Sequence, residues 1–434
     1  MQIRLWLALL VILVANLPGL KQVLANAPLR TDTDTAAMLD AMRDTGGIDG
    51  WWRWFGSDWF LHNGFYRPTT CLSLLLDYAL YGETGWGYRL MNWLLAVLTS
   101  LGFYALLVWF ARRWLSHLLT GENHARLFAL AGTVALSLQQ TDALRPLARF
   151  SAWWLVLAWL FILAQSHHLP AWKGLLRAHW WQIWLGAGAF FWGWDRLVHS
   201  GFERLIVWVP SRTALLATCL TVWSFWFLLR WGEAGRAFLL LLAGLLYAGA
   251  CGAYEQPLTT VPLAIVLAVA VRREWGWRAW SGAGVMLAVA VGYLLLRFTL
   301  LPAEVSGYQQ QQLRSSPALA VWHFVQMLVP VLGHYQYWAN NGLNLYLFFF
   351  KSAWDILITD LAFLGVLVAV WRSRRWFGWW LLWQGVTYLP MSFLHPFEHY
   401  YYLPQVGQNA VDVALMAWAL LHLRNLLRAQ PPNV

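Results

Sequence analysis

The feature that most constrains this chain is a recurrence: a dozen apolar stretches, most of them near bilayer length, separated by short polar segments. They lie near 5–20, 88–110, 127–143, 150–165, 180–194, 213–229, 237–253, 257–271, 279–301, 354–371, 376–394 and 405–423. A helix needs roughly 20 mostly apolar residues to cross the hydrocarbon layer, where every backbone polar group must be paired internally. Composition points the same way. Of 434 residues, 60% are hydrophobic and 12% charged, and 34 are tryptophan. A water-soluble fold of this size cannot hide so much apolar surface. The expected fold is all-α: a polytopic integral membrane protein of about twelve transmembrane helices, one domain over 1–434.

Charge orients it. The formal net charge is +10, and Arg112/Arg113, Lys173/Arg177, Arg230/Arg236, Arg272/Arg273/Arg278, Arg372/Arg374/Arg375 and Arg424/Arg428 all fall in alternate loops. The positive-inside rule makes these loops cytoplasmic, with both termini inside, and removes nucleic acid as the reason for the excess. The expected location is a bacterial inner (plasma) membrane, crossed many times. The large extracytoplasmic loops are then 21–87 and 302–353. Within the first, 69–81 is apolar but short, so interfacial helices are expected there. Ala25-Asn26-Ala27 has the form of a signal-peptidase site, yet a retained first helix is expected, because so many spans follow it. Ala318–Leu332 reads as an embedded or a surface helix. Tryptophan pairs such as Trp153-Trp154, Trp180-Trp181 and Trp379-Trp380 read as an interfacial belt. Cys71, Cys219 and Cys251 are far apart and form no CxxC pair, so neither zinc nor redox chemistry is indicated.

Polar residues near a membrane are costly and mark function. Here they gather on the outer side, while mid-span positions read as apolar. Asp32-x-Asp34 in the first loop reads as a proton acceptor, a cation site or a solvated pair. Four ordered blocks follow. The first is Tyr66-Arg67-Pro68-Thr69-Thr70, then Leu72-Ser73, Leu76-Asp77-Tyr78, Gly82 and Gly87-Tyr88-Arg89-Leu90-Met91-Asn92. The second is His199, Glu203, Trp208, Arg212 and Leu215-Leu216-Ala217. The third is Tyr254-Glu255-Gln256-Pro257 through Pro262, and the fourth is Glu398-His399-Tyr400-Tyr401-Tyr402-Leu403-Pro404-Gln405-Val406-Gly407.

Together these blocks resemble membrane glycosyltransferases of the GT-C superfamily, nearest the transmembrane O-mannosyltransferases that carry tetratricopeptide repeats and their bacterial relatives. The repeats are absent here. Arg89 stands where the family has histidine, Tyr254 where it has lysine and His399 where it has arginine. The resemblance implies an enzyme that takes a sugar from a polyprenyl-phosphate donor and passes it to a glycan, lipid or protein acceptor outside the cytoplasm. It implies Asp32 or Asp34 as general base. Arg67, Arg145, Arg149 and Arg212 are then expected to meet the phosphate, with His199, Glu203, Glu255, Gln256, Glu398 and His399 around them. Arginine suits phosphate through its planar fork of donors.

Each assignment has a plainer rival. An outer arginine commonly pairs with a lipid phosphate or a nearby acid. Glu255-Gln256-Pro257 reads equally as a helix start, with proline in the first turn. His395, Glu398 and His399 have i, i+3, i+4 spacing, but no metal is assigned. No cofactor is expected: there is no Walker A and no GxGxxG, and a divalent cation is left open without support. The polar run Tyr308–Pro317 reads as linker or as a mobile loop over the site. Two other functional classes remain in view: a transporter or flippase of lipid-linked saccharides, and a non-catalytic scaffold of the same architecture. Membrane lipids are partners in every case.

Overall fold

The computed structural model describes residues 5–24, 29–119, 121–144, 170–202, 204–301, 306–313, 316–328, 366–394 and 397–428. Among the described residues the chain is helical, with one isolated antiparallel bridge between Leu313 and Leu394 and no strand. Helix α1 (Leu5–Asn16) and α2 (Pro18–Leu24) meet at a bend of 47°, at the proline that cannot continue a helix. The first loop then builds α3 (Thr33–Asp44), a 3₁₀ segment (Gly47–Phe55) and α4 (Pro68–Tyr81). Pro68 opens α4, where its missing N–H costs nothing.

From there the chain shuttles. Helix α5 (Gly85–Trp114) leaves the end that carries the first loop, and α6 (Glu122–Gln140) and α7 (Pro170–His199) lead back to it. Helix α8 (Arg212–Ala234) leaves, α9 (Ala237–Ala253) returns, α10 (Val261–Trp275) leaves and α11 (Trp277–Leu300) returns. Short helices α12 (Gly307–Gln312) and α13 (Pro317–Leu328) follow. Then α14 (Arg374–Tyr388) runs to the loop end and α15 (Tyr402–Arg428) leaves it. The main packed pairs are α8 on α9, α7 on α15, α5 on α6 and on α8, and α14 on α15.

Among the described residues, four helices are long and apolar enough to cross a membrane: Gly85–Trp114, Val209–Ala234, Trp277–Leu300 and Glu398–Leu426. The α1–α2 pair makes five if the bent helix is one span. About twelve were expected. Helices α6, α7, α9, α10 and α14 lie on expected stretches without meeting that length and apolarity together, and 150–165 and most of 354–371 lie outside the described residues.

Two expectations need correction. Trp379 and Trp380 are not an interfacial belt. They are buried against Phe110, at ring separations of 5.3 and 5.2 Å, in a seam with Trp376 and Trp383. Aromatic rings here fill the interior, because edge and stacked contacts bury large surfaces at low entropic cost. Nor is the interior wholly apolar. Asp412, about 15 Å along α15 at 1.5 Å per residue, is fully buried and pairs with Arg196 of α7 at 3.3 Å. Nearby, Asn409 donates to Gln139 at 2.5 Å and Gln140 donates to the Tyr402 hydroxyl at 2.7 Å.

Away from the loop end, the helix termini carry a ring of exposed ion pairs. Arg112 meets Glu122 at 2.5 Å, Arg230 meets Glu233 at 2.8 Å, and Arg113 and Arg126 pair with Glu274 and Glu122. Glu122, Glu233 and Glu274 thus lie at one end, among the arginines of the helix termini there.

Candidate functional site

At the loop end, the four sequence blocks and the first acidic pair converge. Asp34 from α3, Arg67 from the start of α4, Trp208 and Thr213 from the start of α8, Tyr254 from the end of α9 and His399-Tyr400 from the start of α15 line one partly open cavity. It has about 490 Å³ of non-protein space, its mouth open to solvent included. Trp59, Leu61, Asn63, Phe65, Pro210, Tyr308 and Phe397 complete its wall.

Among the described residues Arg67 is the only arginine in the cavity wall. The guanidinium is buried and lies over three rings, Phe65 at 4.2 Å, Tyr254 at 4.6 Å and Trp59 at 4.7 Å. Cation–π contacts of this kind strengthen where water is excluded. Its Nε and Nη2 donate to Glu255 at 3.3 and 3.2 Å, and Nη1 has no partner among the described residues. The wall is prepared locally. Asp58 accepts from the amides of Trp59, Gly64 and Phe65 at 2.8, 2.5 and 2.9 Å, and Trp59 donates to Asn63 at 2.5 Å. This turn holds Trp59 and Phe65 against the guanidinium.

The two aspartates of the Asp32-x-Asp34 pair separate cleanly. Asp32 is the N-cap of α3. It accepts from the Thr35 amide and hydroxyl, both at 2.8 Å, and from the Trp208 indole at 3.3 Å. That is a capping role, which stabilises the first turn by ~1 kcal/mol, and Asp32 is not part of the cavity wall. Asp34 is half-buried in the wall. Burial, and then the neighbouring Asp32 charge, raise its pKa above the ordinary aspartate value. A carboxylate deprived of water and set beside a like charge is a stronger proton acceptor.

Other expected site residues take different places. Arg212 is fully buried outside the cavity wall. It donates to Asn92 at 2.5 Å, to Asp77 at 2.6 Å, to Ser73 at 2.8 Å and to the Tyr88 carbonyl at 3.0 Å. It therefore locks α4 and α5 to α8, and Ser73, Asp77 and Asn92 of the first block serve that lock rather than a ligand. Gln256 is also a clamp: its amide donates to the Thr387 and Tyr400 carbonyls at 2.8 and 2.9 Å. It thereby holds the start of α15 beside α14. Glu255 meets Arg67 rather than the cavity directly. Glu398 is exposed and is not in the wall, whereas His399 is, 5.1 Å from Trp208 and stacked on Phe397 at 5.7 Å. His199 ends α7. Arg145, Arg149, Glu203 and His395 lie outside the described residues.

Tyr308 came from a run read as linker or as a mobile loop over the site, and it stands in the cavity wall. Ser306 and Gln309 form a reciprocal capping box that starts α12, and Gln309 and Ser306 also donate to Gly64 and Asn63 at 2.8 and 2.7 Å. The Ser-x-x-Gln spacing is a legible signal of that helix start. Burial, and then Asp34, raise the Tyr308 pKa, so its phenol stays protonated beside the carboxylate.

Comparisons with family models, with curated proteins and with solved structures return no match.

Proposed function

We propose that the chain is a membrane glycosyltransferase of the GT-C kind, moving a sugar from a polyprenyl-phosphate donor to an extracytoplasmic acceptor. The single observation that supports this reading is the convergence of Asp34, Arg67, Tyr254 and His399, from parts of the chain up to 365 positions apart, on one aromatic cavity. In this reading Asp34 takes the proton of the acceptor hydroxyl as it attacks the anomeric carbon. The glycosyl–phosphate bond breaks, and the lipid phosphate leaves with its electron pair. Arg67 meets the charge that develops on the leaving phosphate, already oriented by its ring contacts. The aromatic wall offers flat apolar faces to the C–H faces of a sugar. The same reading carries the finer topology: about twelve spans in a bacterial inner membrane, both termini cytoplasmic and the cavity outside.

A second reading has its own observation. The buried Arg196–Asp412 pair is an intramembrane charge of the sort that marks transport pathways, so transport of a lipid-linked saccharide is the rival. Mass spectrometry of cell-surface glycans and lipid-linked sugars, with and without the gene, separates the two. Transfer predicts a missing surface sugar and a monosaccharide donor that accumulates yet stays exposed outside. An unchanged glycan profile overturns the proposal, and a donor trapped inside favours transport.

A further inference from the structure

We infer that the 3₁₀ segment Gly47–Phe55 is an interfacial anchor, seated among the phospholipid headgroups of the outer leaflet. The inference rests on the membrane reading above but not on sugar transfer. Three observations carry it. One side of the segment, Gly47, Gly50 and Trp54, is buried against the loop fold, while Trp51, Trp52 and Phe55 are 46%, 62% and 41% exposed. Three large aromatics within five residues are costly to hold in water. Indole and phenyl rings favour the layer between hydrocarbon and headgroups. Next, Arg53 lies 5.7 Å from the Trp52 ring and is itself exposed, which supplies a cation at the level of the lipid phosphates.

Depth is fixed by a tyrosine relay. The Tyr66 hydroxyl donates to the Phe55 carbonyl at 2.9 Å, Tyr66 packs on Tyr293 of α11 at 5.7 Å, and the Tyr293 hydroxyl donates back to the Tyr66 carbonyl at 2.7 Å. Tyr293 lies seven residues, about 10 Å, before the outer end of α11. Beside it Leu295, Leu296 and Phe298 are exposed apolar side chains of a helix able to span a membrane. Through Tyr66 the Phe55 end of the 3₁₀ segment is thus tied to α11 about 10 Å before its outer end, on the helix that carries these exposed apolar side chains. Because the segment packs on α3 and α4, seating it sets the height of Asp34 and Arg67 above the bilayer.

The test uses the full chain in phosphatidylglycerol/phosphatidylethanolamine nanodiscs, with an environment-sensitive fluorophore on single introduced cysteines. Native Cys71, Cys219 and Cys251 are buried, and labelled wild type supplies the background. Trp52→Cys and Leu295→Cys should both be quenched by lipids carrying a doxyl group high on the acyl chain, and shielded from iodide. Asp44→Cys, on the exposed end of α3, should show the reverse. Trp52 is largely exposed, so its replacement leaves the packed side intact, and Trp51→Cys is a second reporter of the same face. Iodide quenching at 51 and 52 as strong as at 44, with 295 still lipid-quenched, overturns the anchor alone. Iodide quenching at 295 overturns the membrane reading and the anchor with it.

Discussion

The two ends of the helical bundle use the same chemistry, arginine beside carboxylate, in opposite ways. At the end away from the first loop, Arg112–Glu122, Arg230–Glu233 and their neighbours are exposed, lie on helix ends, and share partners freely. Water and salt screen such pairs, and each stabilises by ~0–1 kcal/mol. At the loop end, Arg67–Glu255 and Arg212–Asp77 are enclosed. There the loss of one partner strands the other in a place it cannot be solvated. Burial decides which of these charges hold the fold together. The enclosed pairs divide again. Arg212 is saturated by protein groups and acts as a brace, whereas Arg67 keeps one edge of its fork toward a cavity.

That contrast yields a graded set of expectations. Asp34→Asn should reduce sugar transfer by ~100-fold or more, the usual contribution of a positioned general base, with abundance in the membrane unchanged. Arg212→Met should instead lower stability by ~3–5 kcal/mol, read as a fall in unfolding temperature in detergent. A variant as stable as wild type would remove Arg212 from the role of brace. Arg67→Lys keeps the charge but loses the fork and the stacked plane, so transfer should fall by roughly 10-fold with the unfolding temperature little changed. Asp32→Asn should preserve most activity but move the acid limb of the pH–rate profile. As the proposed base Asp34 would work deprotonated, and its pKa is raised first by burial and then by Asp32. Removing the Asp32 charge lowers that pKa, so the acid limb should shift to lower pH. A shift upward would contradict the arrangement. Glu122→Gln, at the exposed end, should change stability by less than ~1 kcal/mol and transfer not at all.

Much of the helical layout was legible, because span-length apolar stretches and basic loops are strong one-dimensional signals. The order of Arg67, Tyr254, Glu255 and His399 along the chain was legible too. What the sequence could not separate was residues that touch a cavity from residues that touch each other. Arg212 and Gln256 look like Arg67 in a string of letters, yet their partners, Asp77 and the carbonyls of Thr387 and Tyr400, are 135, 131 and 144 positions away. Asp32 and Asp34 differ by two positions, and only the start of α3 tells a cap from a free carboxylate. Trp379 and Trp380 read as belt residues because tryptophan is common at interfaces; helix packing, invisible locally, drew them inward. Asp412 lies inside an apolar run, and its partner Arg196 is on another helix, a pairing no local pattern encodes.

The central claim is that Asp34, and not Asp32, accepts the proton in glycosyl transfer. Initial rates of sugar transfer from polyprenyl-phosphate donors, measured in proteoliposomes holding equal amounts of wild type, Asp34→Asn and Asp32→Asn, test it directly. The account predicts near-complete loss for Asp34→Asn and substantial activity for Asp32→Asn. Full activity in Asp34→Asn, or loss confined to Asp32→Asn, would contradict it.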